Sequence, residues 1–391
     1  MATSTNTKET FRDDIPSRTS SPNAWLKNPR WDLSFIIFSI VLVPIPYLVW
    51  IFMGQNTFGR QFVNFTIAVM IGGPHMVATF SRTTFDKSFR AKYPKFIAST
   101  FIIPIVVITL ALTNMSLLLT VFFSIAALHV IHQAIYIVES YNRKERDPKY
   151  EDNVMKGQMY SWKESLTSPY YLIDFLVIAT ALFPKANAVM VEGNFQIGQT
   201  SLNAAIPSFF EQMWTVYLAS AVFGLSALAF LIKSFLEFRA SALNVPKFLF
   251  IFATATALFT GPFLGNLDTS FQGINVWHSF QYLALTWYAI QLRNKAKKSD
   301  DYHPQQNKET LLDQILESGS LKKFYGFNFL LTAVIGVVIL VVFGLLSLAG
   351  GVYSTPSYAF EVAYYIGVLS VLWMHYYHDH FLFTQTDSLV P

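Results

Sequence analysis

The sequence predicts an all-α fold: a polytopic integral-membrane bundle of about ten transmembrane helices with both termini in the cytoplasm. Three observations carry that expectation. Of 391 residues, 13% are Asp, Glu, Lys or Arg and 53% are apolar, whereas a soluble globular chain carries about 25% charged residues. Charge-free runs long enough for a crossing helix, which needs about 20 apolar residues, recur along the chain. The basic residues then fall almost wholly on one side of the resulting topology.

The elements follow in order. Span 1 is placed at 33–53, inside a run without Asp, Glu, Lys or Arg, and span 2 at 62–81. The charge-free run 96–138 holds two spans, 96–112 and 115–138, with a tight turn at Thr113-Asn114. Span 5, at 169–184, is interrupted by Asp174 and ended by Pro184. Spans 6 to 10 are placed at 214–232, 247–265, 274–292, 325–349 and 358–383. Residues 1–30 read as a disordered cytoplasmic tail, polar and without the apolar core of a signal peptide. Residues 31–391 read as one transmembrane helical domain. Within it, 185–213 is a polar outer loop, and 293–323 a charged cytoplasmic linker with an amphipathic helix at 309–318. With the N-terminus inside, 26 of the 28 Lys and Arg residues lie on the cytoplasmic side, leaving only Arg60 and Lys185 outside. The expected location is a plasma membrane or bacterial inner membrane.

Several function classes are excluded. A net charge of +4 is too mild to point to nucleic acid, and the absence of cysteine removes disulfide scaffolds, thiolate zinc sites and cysteine-held iron–sulfur clusters. No P-loop, GxGxxG or serine-hydrolase elbow occurs. Chemistry must lie inside the bundle or at its cytoplasmic face.

The histidines carry that chemistry. Of eight, only His303 lies in the linker; His75, His129, His132, His278, His375, His378 and His380 all lie in predicted spans. Ionisable groups within spans are costly and mark functional sites by default. They sit on spans 2, 4, 8 and 10, which all run in the same direction, so four helices can present imidazoles to one layer in the cytoplasmic half. His129 and His132 are three apart and share a helix face, as do His375 and His378. Imidazole is the commonest protein ligand for zinc, iron and copper. His75, His129, His132, His278, His375 and His378 are therefore the candidate metal ligands. Asp379, His380, Gln133, Glu139, Gln281, Tyr282 and Tyr136 are candidates for further ligation or for holding the ligands' other ring nitrogens. The glycines and proline of Gly72-Gly73-Pro74-His75 predict a kink that brings span 2 close to its neighbours.

The HxxHQ segment at 129–133 and the HxxHDH segment at 375–380 resemble the histidine boxes of membrane desaturases and hydroxylases, which hold two irons with HxxxH and HxxHH boxes. Trp277-His278-Ser279 and Pro74-His75 are similar to elements of the Brp/Blh family of carotene dioxygenases, all-helical membrane proteins that hold iron with histidines from several spans. In this chain Gln281-Tyr282 stand where that family has a second histidine near the WHS element. Both resemblances cover under a fifth of the chain. They imply a non-heme iron oxygenase or desaturase with one or two iron ions, haem and zinc ranking behind. The substrate would be an apolar lipid or isoprenoid, with an electron-donor protein if the reaction is a desaturation or hydroxylation. The competing readings are a haem electron-transfer protein and a metal or proton transporter.

Overall fold

The computed structural model describes residues 24–147, 149–155, 161–197, 200–202, 206–296, 315 and 318–384. Helices stand at all ten predicted positions: α1 (Pro29–Phe52), α2 (Thr57–Phe80), α3 (Pro94–Thr113), α4 (Met115–Arg146), α5 (Pro169–Val191), α6 (Met213–Arg239), α7 (Val245–Thr260), α8 (Leu267–Ala296), α9 (Leu321–Ala349) and α10 (Pro356–Thr384). Eight of them are long and apolar enough to cross a membrane, against the ten expected. The two exceptions have separate causes. With 16 residues, α7 spans about 24 Å, short of a hydrocarbon core of about 30 Å. The 30 residues of α8 are too polar, because Gln272, Asn275, His278 and Gln281 do not break a charge-free run yet lower its hydropathy. Gln272, His278 and Gln281 are buried against other helices.

Ring contacts fix the relative direction of these helices. Phe122 of α4 meets Phe271 of α8 with centroids 5.3 Å apart, and seven residues further along each helix His129 meets His278 at 4.9 Å. Two contacts displaced by the same amount in the same sense mean that α4 and α8 run parallel. Parallel alignment requires an odd number of crossings between them, and since α5 and α6 are each long and apolar enough to make one, α7 supplies the third. The short α7 therefore traverses the bundle, extended by the tight turn Gly261–Phe263.

Local chemistry sets the helix ends. Asn28 caps α1, accepting from the Trp31 N–H at 3.0 Å, with Pro29 at the first helical position. Asn56 caps α2 through the Gly59 N–H at 2.7 Å. Asn114 ends α3 and caps α4 through the Leu117 N–H at 3.0 Å, which is the tight turn expected at Thr113-Asn114. Asp32 organises the chain entry. Its carboxylate accepts from the Leu26 N–H at 2.7 Å, the Lys27 N–H at 3.1 Å and the Tyr141 hydroxyl at 2.8 Å. The disordered tail expected over 1–30 is thus docked at its last residues by one buried carboxylate; residues 1–23 lie outside the described residues.

The outer loop expected at 185–213 is also partly structured, since α5 continues to Val191. Beyond it a hairpin pairs β1 (Gln196–Ile197) with β2 (Thr200–Ser201). Ser116 and Thr120 of α4 donate to the Ser201 and Leu202 carbonyls at 2.6 and 3.1 Å, and Ile197 and Leu202 are buried. This hairpin covers the charge-poor end of the bundle. At the other end, residues 297–314 of the linker and most of the amphipathic helix expected at 309–318 lie outside the described residues.

Two packing regions result. In one, α5, α6 and α7 are joined by a buried ionic network: Lys233 contacts Asp174 at 2.7 Å, and Lys247 reaches Asp174 at 3.4 Å and Glu145 of α4 at 2.9 Å. Removing one member leaves an uncompensated buried charge, which costs far more than the pair contributes. In the other, α2, α4, α8 and α10 surround the histidines. The outer faces of α3, α6 and α9 expose Phe101, Leu225, Leu340 and Leu345, the lipid-facing surface of a membrane bundle.

Because the chain has no cysteine, single-cysteine labelling can read the orientation. Val352→Cys, at an exposed turn between α9 and α10, is expected to react with an impermeant maleimide on intact cells. Lys322→Cys, at the basic end, should react only after permeabilisation. The reverse pattern would invert the topology. Gly273 of α8 approaches α1 so closely that a Cβ would fall on the Val43 carbonyl. Gly273→Ala is expected to cost about 1–3 kcal/mol, seen as a lowered thermal unfolding midpoint.

Candidate metal centre

Four helices each contribute one imidazole to a single buried point. His75 of α2, His129 of α4, His278 of α8 and His375 of α10 each offer a ring nitrogen, and these four atoms all lie within 4.8 Å of one another. All four residues are at least 95% buried. Around this point His75 Nδ1, His129 Nε2, both nitrogens of His278 and His375 Nε2 have no hydrogen-bond partner. An unsatisfied buried polar group costs about 1–3 kcal/mol. Five such nitrogens together rival the about 5–15 kcal/mol net stability of a folded protein, so the cluster is built to be filled. Ligands on one metal ion at about 2.0–2.1 Å are at most about 4.2 Å apart, so small ring movements would close the set.

Each ligand has a local cause. A π-type turn over Ala68–Gly72 precedes His75 and shifts the face that α2 presents. Pro74 has no N–H to donate, which frees the Met70 carbonyl; the Tyr325 hydroxyl of α9 takes it. Gly73 permits the close approach of α9, since a Cβ there would collide with Thr332. Where the sequence predicts a kink, α2 carries a π-turn followed by a proline, braced by α9.

A polar layer lies one turn beyond the ligands. Thr79, Gln133, Tyr282 and Asp379 stand four residues after His75, His129, His278 and His375 respectively, each on its ligand's own helix face. Tyr282 and Thr79 donate to Asp379 Oδ1 at 2.6 and 2.9 Å. Thr79 Oγ1 then has its proton committed and accepts from His375 Nδ1 at 2.6 Å. That network assigns the His375 proton to Nδ1 and leaves Nε2 as a lone-pair donor facing the cluster. Gln133 Nε2 donates to the His278 carbonyl at 3.2 Å. The second carboxylate oxygen, Asp379 Oδ2, is buried without a hydrogen-bond partner, 3.5 Å from His375 Nε2 and 3.8 Å from His129 Nε2. It lies beside the cluster, outside the set of four ring nitrogens that come within 4.8 Å of one another.

The other sequence candidates stand apart. His132 packs against His380, with centroids 5.1 Å apart, and against Phe383. His378 is held by Thr83 through Nδ1 at 2.8 Å and by Ser99 through Nε2 at 3.0 Å, so both its nitrogens are used. The HxxH segments therefore do not chelate as pairs; each supplies one histidine. Residues three apart on a helix diverge by about 60° and lie about 4.5 Å apart along the axis, so one member faces the bundle centre while the other faces a neighbouring contact. Glu139 pairs with Arg143 at 2.8 Å and Arg146 at 3.1 Å, and Gln281 donates to the Ile36 carbonyl at 2.6 Å. Tyr136 stacks on Phe383. Sequence reasoning missed Thr79, whose signal was its position four residues after His75.

No protein-family model, curated protein or solved structure matches this chain. Its own geometry shows a membrane-type helical bundle with a buried four-histidine cluster able to hold a metal ion.

Replacing His75, His129, His278 or His375 by Ala is expected to abolish bound metal, measured by elemental analysis of the purified protein. His132→Ala, His378→Ala and His380→Ala should retain it. Asp379→Asn and Thr79→Val should weaken metal affinity by about 10–100-fold. Equal metal content in all seven alanine variants would dissolve the assignment.

Proposed function

We propose that this protein is a membrane non-heme iron enzyme, an oxygenase or desaturase acting on an apolar lipid or isoprenoid. The observation that carries the reading is the convergence of four imidazoles, with ring nitrogens that have no hydrogen-bond partner, inside an apolar bundle. Imidazole-rich donor sets suit iron, copper, zinc and nickel, and harder oxygen donors shift the balance away from copper(I). Four neutral rings would hold a divalent ion without cancelling its charge, and Asp379, fixed by the Tyr282 and Thr79 hydrogen bonds, stands beside them as a carboxylate. Bound there, iron would supply the redox chemistry for dioxygen that no side chain of this cysteine-free protein provides.

The protein's own groups do the rest. Thr79 fixes the tautomer of His375, and Gln133 ties α4 to α8 at the ligand level. Burial of all four ligands excludes bulk water, which strengthens electrostatic interactions and limits side reactions. The cluster argues against haem, because a macrocycle needs an open plane between two axial ligands and four imidazoles converge here from separate helices. One cluster, in place of two chelating pairs, favours a single iron over the pair of irons that six histidines would allow.

Protein purified from membranes is expected to contain about one iron per chain and to lack a Soret band. Oxygen uptake should depend on a membrane-lipid extract and vanish in His129→Ala. Turnover that continues without any reductase would identify a dioxygenase; strict dependence on an electron donor would identify a desaturase or hydroxylase. Zinc at full occupancy with no oxygen uptake would overturn the reading.

A further inference from the structure

All four ligands of the centre are at least 95% buried, so an ion must pass packed side chains to reach them. The histidines outside the cluster differ in what their rings are free to do. His378 is committed through both nitrogens to Thr83 and Ser99. Among the described residues no hydrogen bond or ion pair engages the ring of His132 or of His380; the two rings meet each other instead, with centroids 5.1 Å apart. His380 is exposed and His132 partly buried. Two imidazoles that share one tetrahedral ion at about 2.0–2.1 Å hold their centroids about 5 Å apart. At the centre itself His129 stands 4.9 Å from both His278 and His375. The His132–His380 pair thus has the ring separation of a two-ligand metal site.

The pair belongs to the two helices that supply His129 and His375. His132 lies three residues after His129 on α4, and His380 five after His375 on α10, about 4.5 and 7.5 Å nearer the basic end. His380 is four residues before Thr384, where α10 ends, so it stands within about 6 Å of that end. Phe383 borders both levels. Its ring is 5.3 Å from His132 and 6.2 Å from His129, and it stacks on Tyr136 at 4.8 Å. One aromatic side chain therefore adjoins the outer pair and a buried ligand. No third His, Asp or Glu joins the pair among the described residues, so water completes the coordination of an ion held there and the ion stays exchangeable.

We propose that His132 and His380 form a second metal site, the acquisition site from which the four-histidine centre receives its divalent ion from the basic side. His380 takes the hydrated ion at the surface and His132 shares it. Displacement of the Phe383 ring then passes the ion to His129, three residues away on the same helix. An ion held at the pair meets the centre intramolecularly, at a high effective concentration, whereas a dilute free ion must find a closed cavity. The inference rests on reading the cluster as a metal centre, and it accounts for two imidazoles that the centre leaves unused. Because the pair acts on the way in, its removal changes how fast the centre fills and leaves unchanged how much it holds.

Full-length protein in nanodiscs, stripped of metal with a chelator, tests it by loading with micromolar Co(II) followed through the ligand-field absorbance. His132→Ala and His380→Ala are each expected to slow filling of the centre about tenfold or more. The final content of tight Co(II), measured after passage over a chelating resin, should equal that of the wild type, which also shows that the variants fold. His378→Ala, which removes a committed imidazole from the same helix, should load at the wild-type rate. A second, weaker Co(II) equivalent should appear in the wild type and in His129→Ala, and be absent from His132→Ala. Tight binding at an unchanged rate in both pair variants overturns the acquisition site and leaves the centre standing. Loss of the tight ion from either variant also overturns it, by placing that histidine in the centre. A weak, His132-dependent equivalent without any tight one upholds the outer pair as a metal site and defeats the reading of the centre.

Discussion

Buried nitrogens need partners, and in this bundle four converging histidines have ring nitrogens with none. That requirement governs the arrangement of α2, α4, α8 and α10. The ligand atoms can come within 4.8 Å only if four helices, far apart in sequence, stop at the same height with the same rotation. Every irregularity near the site serves that alignment. The π-turn and Pro74 rotate α2, Gly73 admits α9 behind it, and the hydroxyl of Tyr325 takes up the carbonyl that Pro74 releases. The polar character of α8, unsuited to lipid, follows from the same need, because that helix stands inside the bundle.

Parallel alignment turns one ring of ligands into a stack of layers. Four residues beyond each histidine lies a polar group, and three of these four are joined through Asp379. Three and seven residues before the histidines lie residues that line a narrow void, Asn275, Phe122 and Phe271 among them. The same helical repeat thus places rigid hydrogen-bonded support on the basic side of the centre and a narrow void on the other. Chemistry at such a centre would have its electrostatics fixed from the basic end. The α5–α7 region, held by the Lys233–Asp174–Lys247 network, contributes no ligand. It serves as a buttress and provides the three reversals that return the chain parallel to α4.

The histidines themselves were legible because an imidazole in an apolar span is conspicuous against its background. Spacing then pointed to HxxH pairs as chelating units. The pairs share a face only loosely, and the neighbours decide which member turns inward. Thr83 and Ser99 take both nitrogens of His378, and the aromatic contacts of His380 and Phe383 hold His132 aside. Those partners come from other helices, at sequence separations of up to 295 residues, so no local pattern could reveal them. Tyr282 and Asp379 were recognisable by their spacing from His278 and His375; Thr79 follows the same rule, but a threonine in a span carries no mark of its own.

The amino-acid sequence by itself determined the fold class, the positions of all ten helices and the four that carry histidine. Those features depend on hydropathy, charge placement and helical period, which are properties of each segment alone. Tertiary structure decided which four histidines meet, and that one metal-sized point forms where two chelating pairs were expected. It also decided that α8 lies inside the bundle and that α7 crosses despite its length. These outcomes depend on the rotation and height of one helix against another, set by close packing at glycines and by hydrogen bonds between distant residues, and neither is encoded within any single span.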